Sequence, residues 1–299
     1  VKIKLLGSAA GGGFPQWNCG CPQCQSIRAG LFAGRARTQS QVALSADGTH
    51  WVLLNASPDL RQQLSSDRSF DPRPTNGHRH TPIESILLTN ADLDHTLGLL
   101  LMRESQPLHV HLTESVRKVL RTNSFFGMLE QFEGQCRWSD VRPGESFDLR
   151  GIRCTPIAVQ GGFPYYTPNE LASELDIKSA LVGYRFEAGG RSFAFLPAVA
   201  AMTAQLLEII KSSDLVFFDG TFWSDGELQK YSPSARTSRQ MNHLPVSESL
   251  PRLAEIKKGR IVYTHINNTN PILDETSSER KAVDKAGLEV GFDGWEMEL

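Results

Sequence analysis

The sequence predicts a single α/β domain with its site at the ends of strands. Three short apolar runs, Ile86–Leu88, Leu215–Phe218 and Ile261–Tyr263, each break into a turn that carries Asp or His. The crevice beyond the carboxyl ends of strands is where α/β folds place their sites. At 299 residues and 40% hydrophobic content, the chain can bury a core large enough for that architecture. No repeat or low-complexity segment competes with this reading.

Composition excludes several functions. The 31 Lys and Arg are mixed among 33 Asp and Glu for a formal net charge of -2, so no basic face offers itself to nucleic acid or anionic lipid. No apolar run approaches the roughly 18 residues of a membrane span, and Val1–Leu6 lacks the apolar core of a secretory signal. The default compartment is the cytoplasm, and a homodimer is compatible with the sequence.

In chain order, alternating Val1–Leu6 reads as a strand that enters Gly7–Gly13. Neither a Lys-Ser/Thr ending nor a helix pattern follows this Gly-rich loop, so a phosphate-binding loop is not supported. Ser40–Ala46 and Thr49–Leu54 form a hairpin about Asp47-Gly48, and Ser57-Pro58-Asp59 opens a helix. Polar, Pro- and Gly-rich Ser65–Thr81 reads as a surface loop with His78 and His80 solvated. Pro107–Leu112 is a strand with His109 and His111 on one polar face, and Thr113 caps the helix after it. Strand pattern over Phe147–Ala158 runs into a turn-rich aromatic loop, Val159–Tyr166, suited to lining a pocket. Ala180–Phe186 and Ser192–Leu196 pair about Gly189-Gly190, and helices follow at Met202–Lys211 and from about Glu248.

The turn after Ile86–Leu88 reads Asn90-Ala91-Asp92-Leu93-Asp94-His95, with a helix from Thr96 to Leu101. Two carboxylates and an imidazole within four residues repel one another and resist desolvation, unless a divalent cation neutralises the acids and takes the imidazole lone pair. Asp94, His95, Asp219 and His265 are therefore expected to hold one ion at an open site, with His243 and Asp92 as further candidate residues of that site. Amide-rich Asn267-Asn268-Thr269-Asn270 is placed to orient His265.

Cys19, Cys21 and Cys24, in the cysteine-rich loop 17–26, make a C-x-C-x-x-C cluster. Three sulfurs this close suit structural zinc, whose metal bonds replace the packing that a loop without secondary structure cannot provide. The fourth ligand is open between Asn268 and His265, with His265 favoured for the open site. Cys136 and Cys154 read as ordinary buried thiols.

The run Leu87–His95 resembles the H-x-H-x-D-H motif of the metallo-β-lactamase superfamily, with Asp and His at later strand ends in the same order. Asn90 and Asp92 stand where that motif has its two leading histidines, and no counterpart of its middle histidine appears near Gln160. Gly7–Cys24 (GSAAGGGFPQWNCGCPQC), Leu93–Leu100 (LDHTLGLL), Phe218–Trp223 (FDGTFW), Asn242–Ser247 (NHLPVS) and His265–Leu273 (HINNTNPIL) resemble, more closely, the pyrroloquinoline quinone (PQQ) biosynthesis branch of that superfamily. These strings span nearly the whole chain.

The resemblance implies an αββα sandwich over residues 1–299 and a role in making the quinone. PQQ is built from a Glu and a Tyr of a precursor peptide, so the phenol must gain oxygen. A metal-dependent hydroxylase of a tyrosine-derived intermediate, with Fe2+ or another divalent ion at the open site, is the implied reaction. A zinc hydrolase and a non-catalytic carrier that binds PQQ or its precursor for export are the alternatives.

Overall fold

The computed structural model describes residues 1–73, 78–104, 106–131 and 134–299. Fourteen strands are present among them: β1 (Lys2–Gly7), β2 (Gln41–Ser45), β3 (Trp51–Leu54), β4 (Ile83–Leu87), β5 (Leu108–Leu112), β6 (Cys136–Asp140), β7 (Phe147–Leu149), β8 (Ile152–Ala158), β9 (Val182–Ala188), β10 (Arg191–Leu196), β11 (Leu215–Asp219), β12 (Arg260–Thr264), β13 (Glu289–Val290) and β14 (Trp295–Glu298). They form two seven-stranded sheets, ordered β14-β1-β2-β3-β4-β5-β6 and β13-β12-β11-β10-β9-β8-β7.

Alternation along the strands decides the layers. Leu215 and Phe217 of β11 face Leu5, Leu44 and Leu54 of the first sheet in the central core. Their neighbours Val216 and Phe218 point the other way, onto Leu206, Ile210, Leu250 and Leu253 of helices. On the far side, Ile86, Val110 and Leu112 pack against Val116, Val119 and Leu120. Because both faces of each sheet are covered, the inner strands are apolar on both sides, which is why they read as short continuous runs. The result is the αββα sandwich, with β3 to β6 parallel in one sheet and β10 to β13 parallel in the other.

Most elements follow the sequence reading. β2 and β3 pair antiparallel with Val42 opposite Leu54, and β9 and β10 turn at Gly189 and Gly190, both at positive φ. Thr113 Oγ1 accepts from Val116 N at 3.2 Å as the expected cap. Phe147–Ala158 divides into β7 and β8, an antiparallel pair. The loop expectation at 65–81 falls partly on 74–77, outside the described residues, and within it Phe70 is buried against Trp51 with ring centroids 5.2 Å apart.

Two expectations are corrected. Asp94 and His95 belong not to the turn but to a short helix, Leu93–Thr96, because extended Asp92 starts it and Thr96 Oγ1 bonds Asp92 O at 2.9 Å. The cysteine segment is not all loop: Cys21 caps a helix over Pro22–Arg28 that buries Cys24, with Pro22 at a first-turn position where its missing N–H costs nothing. Among the described residues, no helix is long and apolar enough to cross a membrane.

Candidate metal centre

The first wall of the site hangs from β3 and β4. Asn55 follows β3 in the left-handed region, and its Oδ1 accepts from Thr89 N at 2.9 Å and Thr89 Oγ1 at 3.0 Å. This ties the turn after β4 to the neighbouring strand end. Asn90 then does two jobs. Its Nδ2 donates to Asp92 Oδ2 at 2.7 Å, so its Oδ1 is left to accept from His95 Nδ1 at 2.7 Å. The network thereby assigns the His95 proton to Nδ1 and leaves Nε2 as a lone pair, buried and without a hydrogen-bond partner.

β11 and β12 supply the opposite wall. Asp219 is fully buried, and its two oxygens accept from Val199 N (2.8 Å), His243 Nδ1 (2.7 Å), Thr221 N (3.0 Å) and Thr221 Oγ1 (2.7 Å). Because the Thr221 hydroxyl gives its proton to Asp219, it accepts from His265 Nδ1 at 2.8 Å. His265 sits at φ 57, a left-handed residue past the end of β12, and this turns its ring into the crevice. Its Nε2 lies 3.2 Å from Asp94 Oδ2, with His95 Nε2 3.8 Å from the same oxygen.

Two overlapping groups result. Ligand atoms of Asp94, His95 and His265 lie within 4.8 Å of one another, as do those of Asp219, His243 and His265. The structure brings all four expected ligands to one crevice and shares His265 between the groups, with Asp219 in the second rather than beside Asp94 and His95. His243, expected as a further residue of the site, stands in that second group, its ring stacked on His265 with centroids 5.4 Å apart.

Electrostatics favour a cation in the first group. Burial lowers the His95 pKa to about 4, so its ring is neutral at physiological pH. Burial works against ionising Asp94, but His95 and His265 hold its carboxyl well below the usual range. Burial and the neighbouring Asp94 raise Asp92 to about 6. An ionised carboxylate facing two imidazole nitrogens is an N/O donor set for a divalent transition metal, and Nδ1 partners such as Asn90 and Thr221 are the usual companions of ligating histidines. Gly11 closes the roof, since a Cβ there would come 3.4 Å from Asp94 Oδ2.

Cys19, Cys21 and Cys24 form a separate group, their sulfurs also within 4.8 Å of one another. The side-chain amide of Asn268 covers them at 3.1, 3.7 and 3.3 Å, while His265 is committed to Asp94 and Thr221. Of the two residues left open as fourth ligand, Asn268 is the one beside the sulfurs, and it meets them with its Nδ2 donor rather than with a ligating oxygen. Burial pushes the Cys21 thiol up to about 12. Three convergent thiols with one is raised so far fit a cation that would displace their protons.

The crevice opens into a cavity of about 730 Å3 lined by Asp92, Asp94, His95, His243 and His265. Gly162, Phe163, Pro164, Tyr165 and Tyr166 form its aromatic wall, as the loop's composition suggested. Tyr166 Oη donates to Ala91 O and pins that wall to the Asp92 turn. His109 and His111 lie elsewhere, their rings tilted against each other with centroids 4.0 Å apart beside a smaller cavity of about 190 Å3. Thr221, Asn55 and Asn90 as orienting groups were missed as such from sequence, although the Asp219-Gly220-Thr221 adjacency was there to be read.

A model of the beta-lactamase superfamily domain matches residues 50–266. Coenzyme PQQ synthesis protein B of Methylobacterium nodulans is 42% identical over 307 aligned positions, covering 100% of both chains. The chain belongs to this family. The Pseudomonas protegens member is 40% identical over 99% of each chain. A crystal structure of Zn(2+)-bound PqqB from Methylobacterium extorquens, 38% identical, matches with a TM-score of 0.92 over 100% of both chains. A diphosphatase from the PhnP family shares the fold at 21% identity and a TM-score of 0.70, over 100% of this chain and 96% of that one.

Proposed function

We propose that this protein acts in PQQ synthesis as a metal-dependent hydroxylase of a tyrosine-derived ring. The family supports the pathway. The observation that carries the chemistry is the buried, partnerless His95 Nε2 facing Asp94 and His265, a two-imidazole, one-carboxylate set of the kind that leaves coordination positions open. Asp94, His95 and His265 would hold the ion, with Fe2+ the ion suited to oxygen chemistry. When bound, it would supply the redox capacity to use dioxygen.

The balance of the reaction is one oxygen atom to a ring carbon and one to water, with two electrons from an external reductant. The chain's own residues do the rest. Asn90 and Thr221 fix both ligating rings with Nε2 inward. Phe163, Tyr165 and Tyr166 offer an aromatic wall to an aromatic substrate, with the two tyrosine rings edge to face, and Asp92, raised to about 6, can take or return a proton at the cavity. His243 Nδ1 is held by Asp219, which keeps its proton in place.

Zinc hydrolysis is the second reading, favoured by the zinc in the Methylobacterium extorquens structure. Metal analysis of anaerobically purified protein, with mass spectrometry of a tyrosine-containing product, separates the two. Iron-dependent gain of one oxygen supports the hydroxylase; a zinc-filled site with activity indifferent to iron sinks it. The thiol group we assign to structural zinc under either reading.

A further inference from the structure

We propose that Arg236 is the residue by which the cavity selects a carboxylate-bearing ligand, so that the ring bound against Phe163 and Tyr165 is that of an aromatic acid in its anionic form. The inference rests on the proposed function for the identity of the ring, but the charge argument stands on the cavity itself. Asp92 and Asp94 line that cavity, and an anion entering it meets two carboxylates. Among its described lining residues, Arg236 is the only lysine or arginine. A cation at Asp94, His95 and His265 would be largely neutralised by its own ligand and by Asp92, which leaves Arg236 to offset the charge of the incoming group.

The guanidinium is bonded to no side chain, and its charge acts on Asp92 across the cavity lining, where it favours the ionised carboxylate. Arg236 makes no hydrogen bond or ion pair among the described residues, whereas its neighbour Arg239 is paired with Glu248. Its backbone is nonetheless fastened. Ala235 N bonds Ser232 O at 2.9 Å, Ser238 N bonds Asp225 O at 2.9 Å, Arg239 N bonds Asp225 Oδ1 at 2.9 Å, and Ser238 Oγ bonds His243 O at 2.7 Å. The loop that carries Arg236 is thus tied to the segment that carries His243. A cation with no hydrogen-bond partner, in a cavity that also has an aromatic wall, matches a ligand that carries both a ring and a carboxylate. Its planar fork suits a carboxylate in bidentate fashion.

The test uses the full chain loaded with zinc, which cannot run the oxygen chemistry, and two probes: PQQ, which carries carboxylates, and its trimethyl ester, which does not and is verified intact by mass spectrometry after each titration. Wild-type protein should bind the acid more tightly than the ester. Arg236→Gln should weaken the acid by about ten- to a hundred-fold and leave the ester unchanged. Arg236→Lys should recover part of the loss, because it keeps charge without the fork. Metal content and melting temperature should move little, since the side chain has no hydrogen bond to lose and acts on Asp92 only through its charge. Equal affinity of wild type for acid and ester, an Arg236→Gln variant that binds acid normally, or a parallel loss of both probes each overturns the assignment. A failed hydroxylation assay beside the expected binding pattern would sink the hydroxylase reading and leave Arg236 in its role.

Discussion

His265 Nε2 stands 3.2 Å from Asp94 Oδ2, although the two residues are 171 positions apart and come from opposite sheets. Asp94 comes from the short helix after β4 and His265 from the end of β12, and His265 Nδ1 is held on the far side by Thr221. Such a pair needs a proton or a cation between its atoms, and His95 Nε2 adds a second lone pair beside it.

Removing that charge should empty the site without unfolding the chain. Asp94→Asn is expected to lower affinity for the open-site ion by at least about ten-fold, because the donor set loses its only carboxylate while keeping its shape. Metal content by mass spectrometry, with circular dichroism for the fold, reads the outcome. Full metal occupancy in purified Asp94→Asn would place the ion elsewhere.

Thr221 offers a finer probe, since it touches no ion itself. Thr221→Val deletes the hydroxyl that accepts from His265 Nδ1 and donates to Asp219. Its expected cost is about 10- to 100-fold in metal affinity, measured by chelator competition, with Thr221→Ser restoring most of it. Equal affinities in all three proteins would show that ring orientation is set by packing alone.

Cys21→Ser tests the thiol group. Loss of one sulfur should release the ion held there, lower the melting temperature and leave the ion at Asp94, His95 and His265 measurable. A variant that instead lost only the latter ion, with stability intact, would make the cluster part of the reaction centre.

A fourth expectation concerns acid. His111 is buried, with its pKa lowered to about 4 by burial first and by His109 and Arg137 after it. The unfolded imidazole titrates near 6.5, so between these values the unfolded chain binds the extra proton and stability falls as pH drops from about 6.5 to 4. His111→Gln should flatten that part of the curve by on the order of 2 kcal/mol. Denaturant midpoints at pH 7 and pH 4.5 give the comparison, and an unchanged difference between them refutes it.

Local pattern made much of this architecture readable. β11 and β12 announced themselves as short apolar runs with Asp219 and His265 at their ends, and the cap at Thr113 followed from one hydroxyl before a charged turn. Partnerships across the fold were not readable in the same way. Nothing near Asn55 indicates that its amide oxygen will anchor Thr89, because β3 and β4 become neighbours only through pairing. Asn90 looked like a lost ligand in a familiar motif, yet its oxygen holds His95. The helix over Pro22–Arg28 was hidden because its cysteines drew attention to metal chemistry while Pro22 carried the start signal. Arg236 gave no signal at all, since an unpaired cation is defined by its surroundings.

The segment that follows β12 bears on both metal groups at once. His265 faces Asp94, and three residues later Asn268 rests on the sulfurs of Cys19, Cys21 and Cys24. Between and beyond them, Asn267 Nδ2 bonds Thr269 Oγ1 at 2.6 Å, Thr269 Oγ1 bonds buried Glu227 at 2.5 Å, and Asn270 Nδ2 bonds Gly220 O at 2.8 Å. Asn268 and His265 thus belong to one short, tightly bonded segment, the physical connection through which filling one group would act on the other. Thermodynamic reciprocity then makes any such coupling symmetric: whatever factor an ion at the thiols adds to affinity at the histidines, an ion at the histidines adds at the thiols.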